Sequence, residues 1–234
     1  LKTVGANLKN RNKLIKLESI KSNIDIKTFI NKKFSLSELD ITTRTIEIKN
    51  LISFIRSIKD SPQIYVLEKF VNKGYLIAYI NLKFDQKGNI KDDYIIKGFV
   101  KDGEIKPLKK INLSKISLIF NLQNNKFEFK DINLSYDNND LTFPELNIKK
   151  QKNKFLVSGK NNNKNLVLDN KKINQLLNID FSNLKIKSAE FDLLNTFSFK
   201  IDNKYKIDDF KIDSSMNLKN SKVVSSKNFK EFFP

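Results

Sequence analysis

The chain has 234 residues, 39% of them hydrophobic and 11% aromatic, enough apolar material for a sizeable core and too much for wholesale disorder. It contains no Cys and no His, which removes disulfides, thiol chemistry, the commonest metal ligands and the commonest general base, and with them most hydrolase and transferase triads. The formal charge of +18 comes from 44 basic and 26 acidic residues interleaved along a text dominated by Lys, Asn and Ile, an excess that a partner or a codon bias explains equally well.

In chain order, residues 12 to 26 space Ile15 with Leu17 and Ile24 with Ile26 around a polar break, which predicts two short strands. A helical turn is expected over 27 to 34, then a strand through Leu39, Ile41, Ile46 and Ile48 with an irregularity near Arg44, where the apolar parity changes. Leu51, Ile52, Phe54, Ile55 and Ile58 fall at helical spacings, and Pro62 stands at a first-turn position before Ile64, Val66, Leu67, Phe70 and Val71, with Gly74 as the stop. Two short helices are therefore expected near residues 49–72.

From Gly74 onward the period is two. Leu76, Ala78, Ile80, Leu82 and Phe84 share one parity, and the text around Gly88 makes a hairpin turn. Strands are predicted at 93–100, 110–122, 126–136, 140–148 and 153–159, joined by short polar turns that favour antiparallel pairing. A polar loop is expected at 161–165, a brief helix at 170–178, and then strands to about Leu218. The ends of the text stand in mid-pattern, so we expect one fragment, 1–234, of a longer repetitive β-sheet protein, with no internal boundary and with any anchor outside it. No apolar run approaches the roughly 18 residues of a membrane-spanning helix.

Motifs for chemistry are weak. The carboxylate pairs Asp92 with Asp93, Asp208 with Asp209, and Glu190 with Asp192 read as solvated strand or turn residues, since neighbours on a strand point to opposite faces. Asp137, Asp140 and Glu145 lack the spacing and the Gly of a calcium loop, and no Gly-rich phosphate loop is present. Lysines are scattered and Arg occurs only at Arg11, Arg44 and Arg56, so no nucleic acid is expected as a partner. We expect no cofactor, no metal and no catalysis.

The strongest signal is a one-sided apolar stripe. Its members are Leu76, Ala78, Ile80, Leu82, Phe84, Ile96, Val100, Ile116, Leu118, Phe120, Leu122, Phe127 and Phe129, with Phe197, Phe199 and Ile201 repeating the pattern further on. On the residues alone, the first expectation is two such sheets closed on each other as a β-sandwich.

The segment IEIKNLISFIRSIKDSPQIYVLEKFVNKGYLIAYINLKFDQKGNIKDDYIIKGFVKDGEI resembles the AsmA-like superfamily, nearest to its large YhdP-type members, over about residues 15–159. The resemblance lies in the order strand, short paired helices, Gly, long strand, Gly-containing turn, and the phrase DYIIKGFVKDGEI. It implies a mainly β fold: a long, curved, groove-like antiparallel sheet (a β-taco) in a periplasmic protein anchored to the inner membrane and reaching toward the outer one. The stripe is then a path for phospholipid acyl chains. The alternative implied by TamB-like relatives is a structural β-sandwich module in envelope or outer-membrane protein assembly.

Overall fold

The computed structural model describes residues 1–24, 36–58, 62–85, 87–108, 111–137, 139–168, 184–202, 204 and 206–225. The strands are β1 (Lys2–Val4), β2 (Asn7–Asn10), β3 (Lys13–Ile24), β4 (Leu36–Thr43), β5 (Ile46–Glu47), β6 (Val71–Lys83), β7 (Ile95–Leu108), β8 (Ile111–Gln123), β9 (Lys126–Tyr136), β10 (Asn139–Gln151), β11 (Lys154–Leu168), β12 (Leu184–Asp202) and β13 (Ile207–Ser225). Two helices, α1 (Ile48–Ile58) and α2 (Pro62–Phe70), stand between β5 and β6.

Among the described residues all 13 strands form one antiparallel sheet in the order β1-β3-β4-β6-β7-β8-β9-β10-β11-β12-β13, with β2 on β3 and β5 on β6. The sheet is open, and no second sheet among the described residues faces it. Each apolar cluster joins neighbouring strands or strands and α1, so the sandwich expectation is not met.

Hairpin chemistry explains the meander. Two-residue loops join β2 to β3, β8 to β9, β9 to β10 and β10 to β11, and in each one residue takes a left-handed φ: Arg11, Asn125, Asp137 and Lys152. In the β6–β7 turn, the Asp85 carboxylate accepts from the backbone N–H of Lys87 and Asn89 at 2.8 and 2.9 Å, while Gly88 takes φ 82°.

Bulges keep one face apolar. Asp102, Lys115, Asp131, Asn165 and Asp209 have φ between 51° and 54° inside strands, and the pairing register shifts beside each or its neighbour. At those places the apolar spacing changes from two to three, as in Leu113 to Ile116, Phe129 to Ile132 and Ile207 to Phe210. The extra residue absorbs the parity change that would otherwise turn the apolar set outward.

Several sequence expectations are corrected. Residues 13–24 form one strand, because the polar break is a bulge between Leu17 and Ser19 and not a turn. Gly74 does not stop α2: the helix ends at Phe70, and Gly74 lies within β6, where an added Cβ would sit 2.9 Å from the Gly103 Cα. Residues 161–165 belong to β11 and are no loop. The helical readings at 27–34 and 170–178 fall outside the described residues. As expected, the fourth strand breaks near Arg44, giving β4 and β5 along the same edge of β6.

Candidate functional site

Direct cross-strand partners share a face of the sheet, so the register identifies the residues that lie side by side. One row runs Ile20, Ile41, Ile80, Ile96, Leu122, Phe127, Ile148, Val157, Phe199, one apolar residue from each of nine strands. At about 4.8 Å per strand, its eight steps cover about 38 Å.

A second row lies two residues further along the strands: Ala78, Gly98, Phe120, Phe129, Leu146, Gly159, Phe197, Ile212. Its two glycines make room for aromatic rings. A Cβ on Gly98 would lie 2.9 Å from Phe120 Cζ, and one on Gly159 would lie 2.8 Å from Phe197 Cζ. The ring of Phe199 also sits 6.2 Å from those of Phe197 and Phe210, which carries the apolar surface onto β13.

The structure therefore brings most of the anticipated stripe together. Leu76, Val100 and Leu118 form a third short row, with Ile116 opposite Gly103 and Leu82 opposite Leu39. Phe84 lies apart, beyond the end of β6, in an isolated bridge with Ile90 at the mouth of the turn. The sequence pattern places Phe197 and Phe199 on the stripe but omits the link through Leu146, Ile148 and Val157, and the start at Ile20 and Ile41. The signal was present as apolar residues spaced by two with single jumps of three.

Coverage of this face is uneven. Phe54 of α1 packs with buried Ile15, Leu17 and Ile46, and Ile48 and Leu51 lean on the cluster of Leu76, Ala78 and Phe120. Helix contacts reach β7, whereas β8 to β13 carry no described helix. On those strands Leu122, Phe127, Ile148 and Phe199 are half-buried, and on β13 Phe210, Ile212, Met216 and Leu218 are more than half exposed.

Polar residues interrupt the face at one place. Asn161 pairs with Asn195 and Asn195 with Ser214, while Asn163 is buried. These amides substitute for ladder bonds near the bulge: Asn163 Oδ1 accepts from the Thr142 N–H at 2.7 Å and Asn161 Oδ1 from the Asn195 N–H at 2.9 Å. Similarly, Thr43 Oγ1 accepts the Ala78 N–H at 2.9 Å where β4 breaks from β5.

The opposite face is polar and charge-paired. Asp40 accepts from Asn81 at 2.8 Å and from the Tyr79 hydroxyl at 2.5 Å; these two bonds, that of Asn81 first, hold its carboxyl below the usual range, and the bond to Asp40 pushes the Tyr79 phenol up. Asp93, Asp192 and Asp209 are held low chiefly by hydrogen bonds from Lys83, Lys219 and Lys200. A general acid needs the reverse shift. Exposed apolar residues on this side include Phe99 and Ile119, adjacent across β7 and β8, and Tyr75, Val167 and Leu194.

Compared with family models, curated proteins and solved structures, the chain finds no match in any of the three.

Proposed function

We propose that this chain is a non-enzymatic lipid-binding segment whose apolar sheet face carries phospholipid acyl chains, as part of a bridge-type protein between the inner and outer membranes. The supporting observation is the unbroken nine-strand apolar row on an open sheet. A bilayer's hydrocarbon core, two acyl chains end to end, is about 30 Å thick. The row's length of about 38 Å accommodates at least that much chain, and it runs across the strands, so each added hairpin would lengthen the path.

The energetics suit passive transfer. Exposing fifteen methylenes to water costs about 12 kcal/mol at roughly 0.8 kcal/mol each, and a continuous apolar surface removes most of that barrier without side-chain chemistry. An apolar face of this size is unusual on a monomer unless something covers it, and lipid is such a cover. The likeness to AsmA-like proteins, carried by the residues quoted above, agrees with this reading and adds the periplasmic setting. No helix among the described residues is long and apolar enough to cross a membrane, and the anchor belongs, on this proposal, to a segment outside the chain.

Native mass spectrometry of the purified chain, with solvent extraction of bound material, tests the proposal. We expect co-purifying phospholipid in the wild type and its loss in Leu82→Glu, a half-buried position from which a carboxylate reaches water, with the variant still folded. A lipid-free, monodisperse and cooperatively folding wild type would remove the basis for the proposal.

A further inference from the structure

We propose that the hairpin tips joining β10 to β11 and β12 to β13 seat the anionic, phosphate-bearing headgroup of the amphiphile whose acyl chain lies on the adjacent face; this rests on the acyl-chain reading above. These tips are neighbours at one end of the sheet, two strands and about 10 Å apart. They carry Lys149, Lys150, Lys152, Lys204 and Lys206, all exposed and without an acidic partner among the described residues.

Along the same strands four lysines are paired: Lys154 with Asp208, Lys200 with Asp209 at 2.6 Å, Lys160 with Glu145 at 3.0 Å and Lys219 with Asp192 at 2.8 Å. Among the described residues Lys164, Lys211 and Lys222 stand singly; the two tips differ in gathering five such lysines at one end of the sheet. Asp202, the carboxylate within the second tip, accepts the backbone N–H groups of Lys204 and Lys206 at 2.8 and 2.9 Å and feels the charge of Lys206, but neither ammonium forms an ion pair with it. Lys149 stands directly opposite Lys126, a like-charge pair that costs stability, and only Lys126 has an acid, Glu128 at 2.7 Å.

Position ties these charges to the apolar path. Lys150 is the cross-strand partner of Phe155, Phe155 of Ile201, and Ile201 of Ile207, so Lys150 ends an apolar row on the face that carries Ile148 and Val157. An ammonium about 7 Å along the strand from an acyl-binding row matches a molecule with a negative head and an apolar tail. Lysine offers three donors on a flexible stem, suited to phosphate as a point charge, and the chain's three arginines all precede residue 57, so the planar forks that read bases are missing from this end. An anionic lipid fits these observations better than nucleic acid.

Titration calorimetry on the full chain tests this, with monomeric dihexanoyl-phosphatidylglycerol against dihexanoyl-phosphatidylcholine. We expect phosphatidylglycerol to bind about tenfold tighter or more at about 50 mM salt, with the preference lost near 500 mM. In Lys150→Gln/Lys152→Gln/Lys204→Gln/Lys206→Gln the preference should vanish while phosphatidylcholine affinity stays unchanged; Lys101→Gln/Lys164→Gln should retain it. Equal wild-type affinity for the two lipids, or a preference that survives the fourfold variant, overturns the headgroup site and leaves the acyl-chain reading standing. Inorganic phosphate competing at concentrations equal to the lipid would make this a free-anion site and overturn the proposal too. If neither lipid binds, both readings fall together.

Discussion

Gly98→Ala probes how closely the strands under the apolar face are packed. A Cβ at this position would lie 2.1 Å from the Ile77 carbonyl oxygen, 2.9 Å from Phe120 Cζ and 3.0 Å from the Ala78 Cα. The ring can swing aside, but the carbonyl belongs to the β6 backbone, which is paired to β7 along Ile77↔Phe99 and Ala78↔Gly98. Relief requires the two strands to part by about 1 Å, enough to weaken about two ladder bonds at roughly 1 kcal/mol each and to add overpacking strain of about 1–3 kcal/mol. The expected loss is about 3–5 kcal/mol, which for a chain of this size lowers Tm by about 6–20 °C. Circular dichroism melts of Gly98→Ala beside Gly88→Ala provide the comparison, because Gly88 has φ 82° but no atom within 4 Å of its Cβ site and should cost only about 1 kcal/mol of backbone strain. Adding Phe120→Leu should not rescue Gly98→Ala, since the carbonyl remains. A Gly98→Ala protein that melts no lower than Gly88→Ala would refute the close approach of β6 and β7.

Three further outcomes follow from the same geometry. Phe120→Glu should unfold the protein where Leu82→Glu does not, because Phe120 is 9% exposed in the cluster under α1 and its replacement buries an unpaired charge; proteolysis and melting of the two variants check this. Thr43→Val should cost about 1–3 kcal/mol by leaving the buried Ala78 N–H without an acceptor, with hydrogen exchange at Ala78 accelerated more than at neighbouring amides. The Asp40–Tyr79 pair predicts a pH signature: Asp40's lowered pKa contributes stability that is present above about pH 4 and lost as the pH falls through its folded value. Tyr79's raised pKa contributes stability that is present below about pH 10 and lost as the pH rises. Tyr79→Phe should abolish its own alkaline contribution and weaken the acid one, and a difference in Tm from wild type that stays flat across both limits would disprove the coupling.

What the text disclosed was the alternation within strands, because a period of two needs no knowledge of partners. Leu76 to Leu82 and Ile116 to Leu122 fall on one face as their spacing implies. The helices were also legible, from the helical spacing of Leu51 to Ile58 and the placement of Pro62 at the first position of α2. Bulges hid the rest. Leu17 to Ile20, Leu113 to Ile116 and Ile207 to Phe210 are spaced by three, which on its own reads as a turn or a new strand. Residues 161–165 carry the composition of a loop, yet two of their amides work as backbone partners inside β11. Register is the other hidden quantity: which apolar residue stands beside which depends on two-residue loops at Arg11, Asn125, Asp137 and Lys152, where one residue more or less would shift every row. Alternation could not separate an open sheet from a closed sandwich either, since both need one apolar face per strand.

The two margins of the sheet differ, and so do the two ends of the apolar rows. On one side β3 is flanked by β1 and β2, three and four residues long, and α1 packs over Ile15, Leu17 and Ile46, so both the margin and the face near it are blunted. On the other side β13 runs 19 residues, pairs only with β12 among the described residues, and exposes Phe210, Ile212, Met216 and Leu218 in line with the rows behind them. Among the described residues the long free edge is that of β13, where the apolar rows stand open to extension. Any strand added there, by chain beyond these residues or by another molecule, would continue the apolar rows if it places an apolar residue opposite Ile212, Met216 and Leu218. The lysine-bearing tips flank the strands nearest that margin, which puts the charge where the face is least covered.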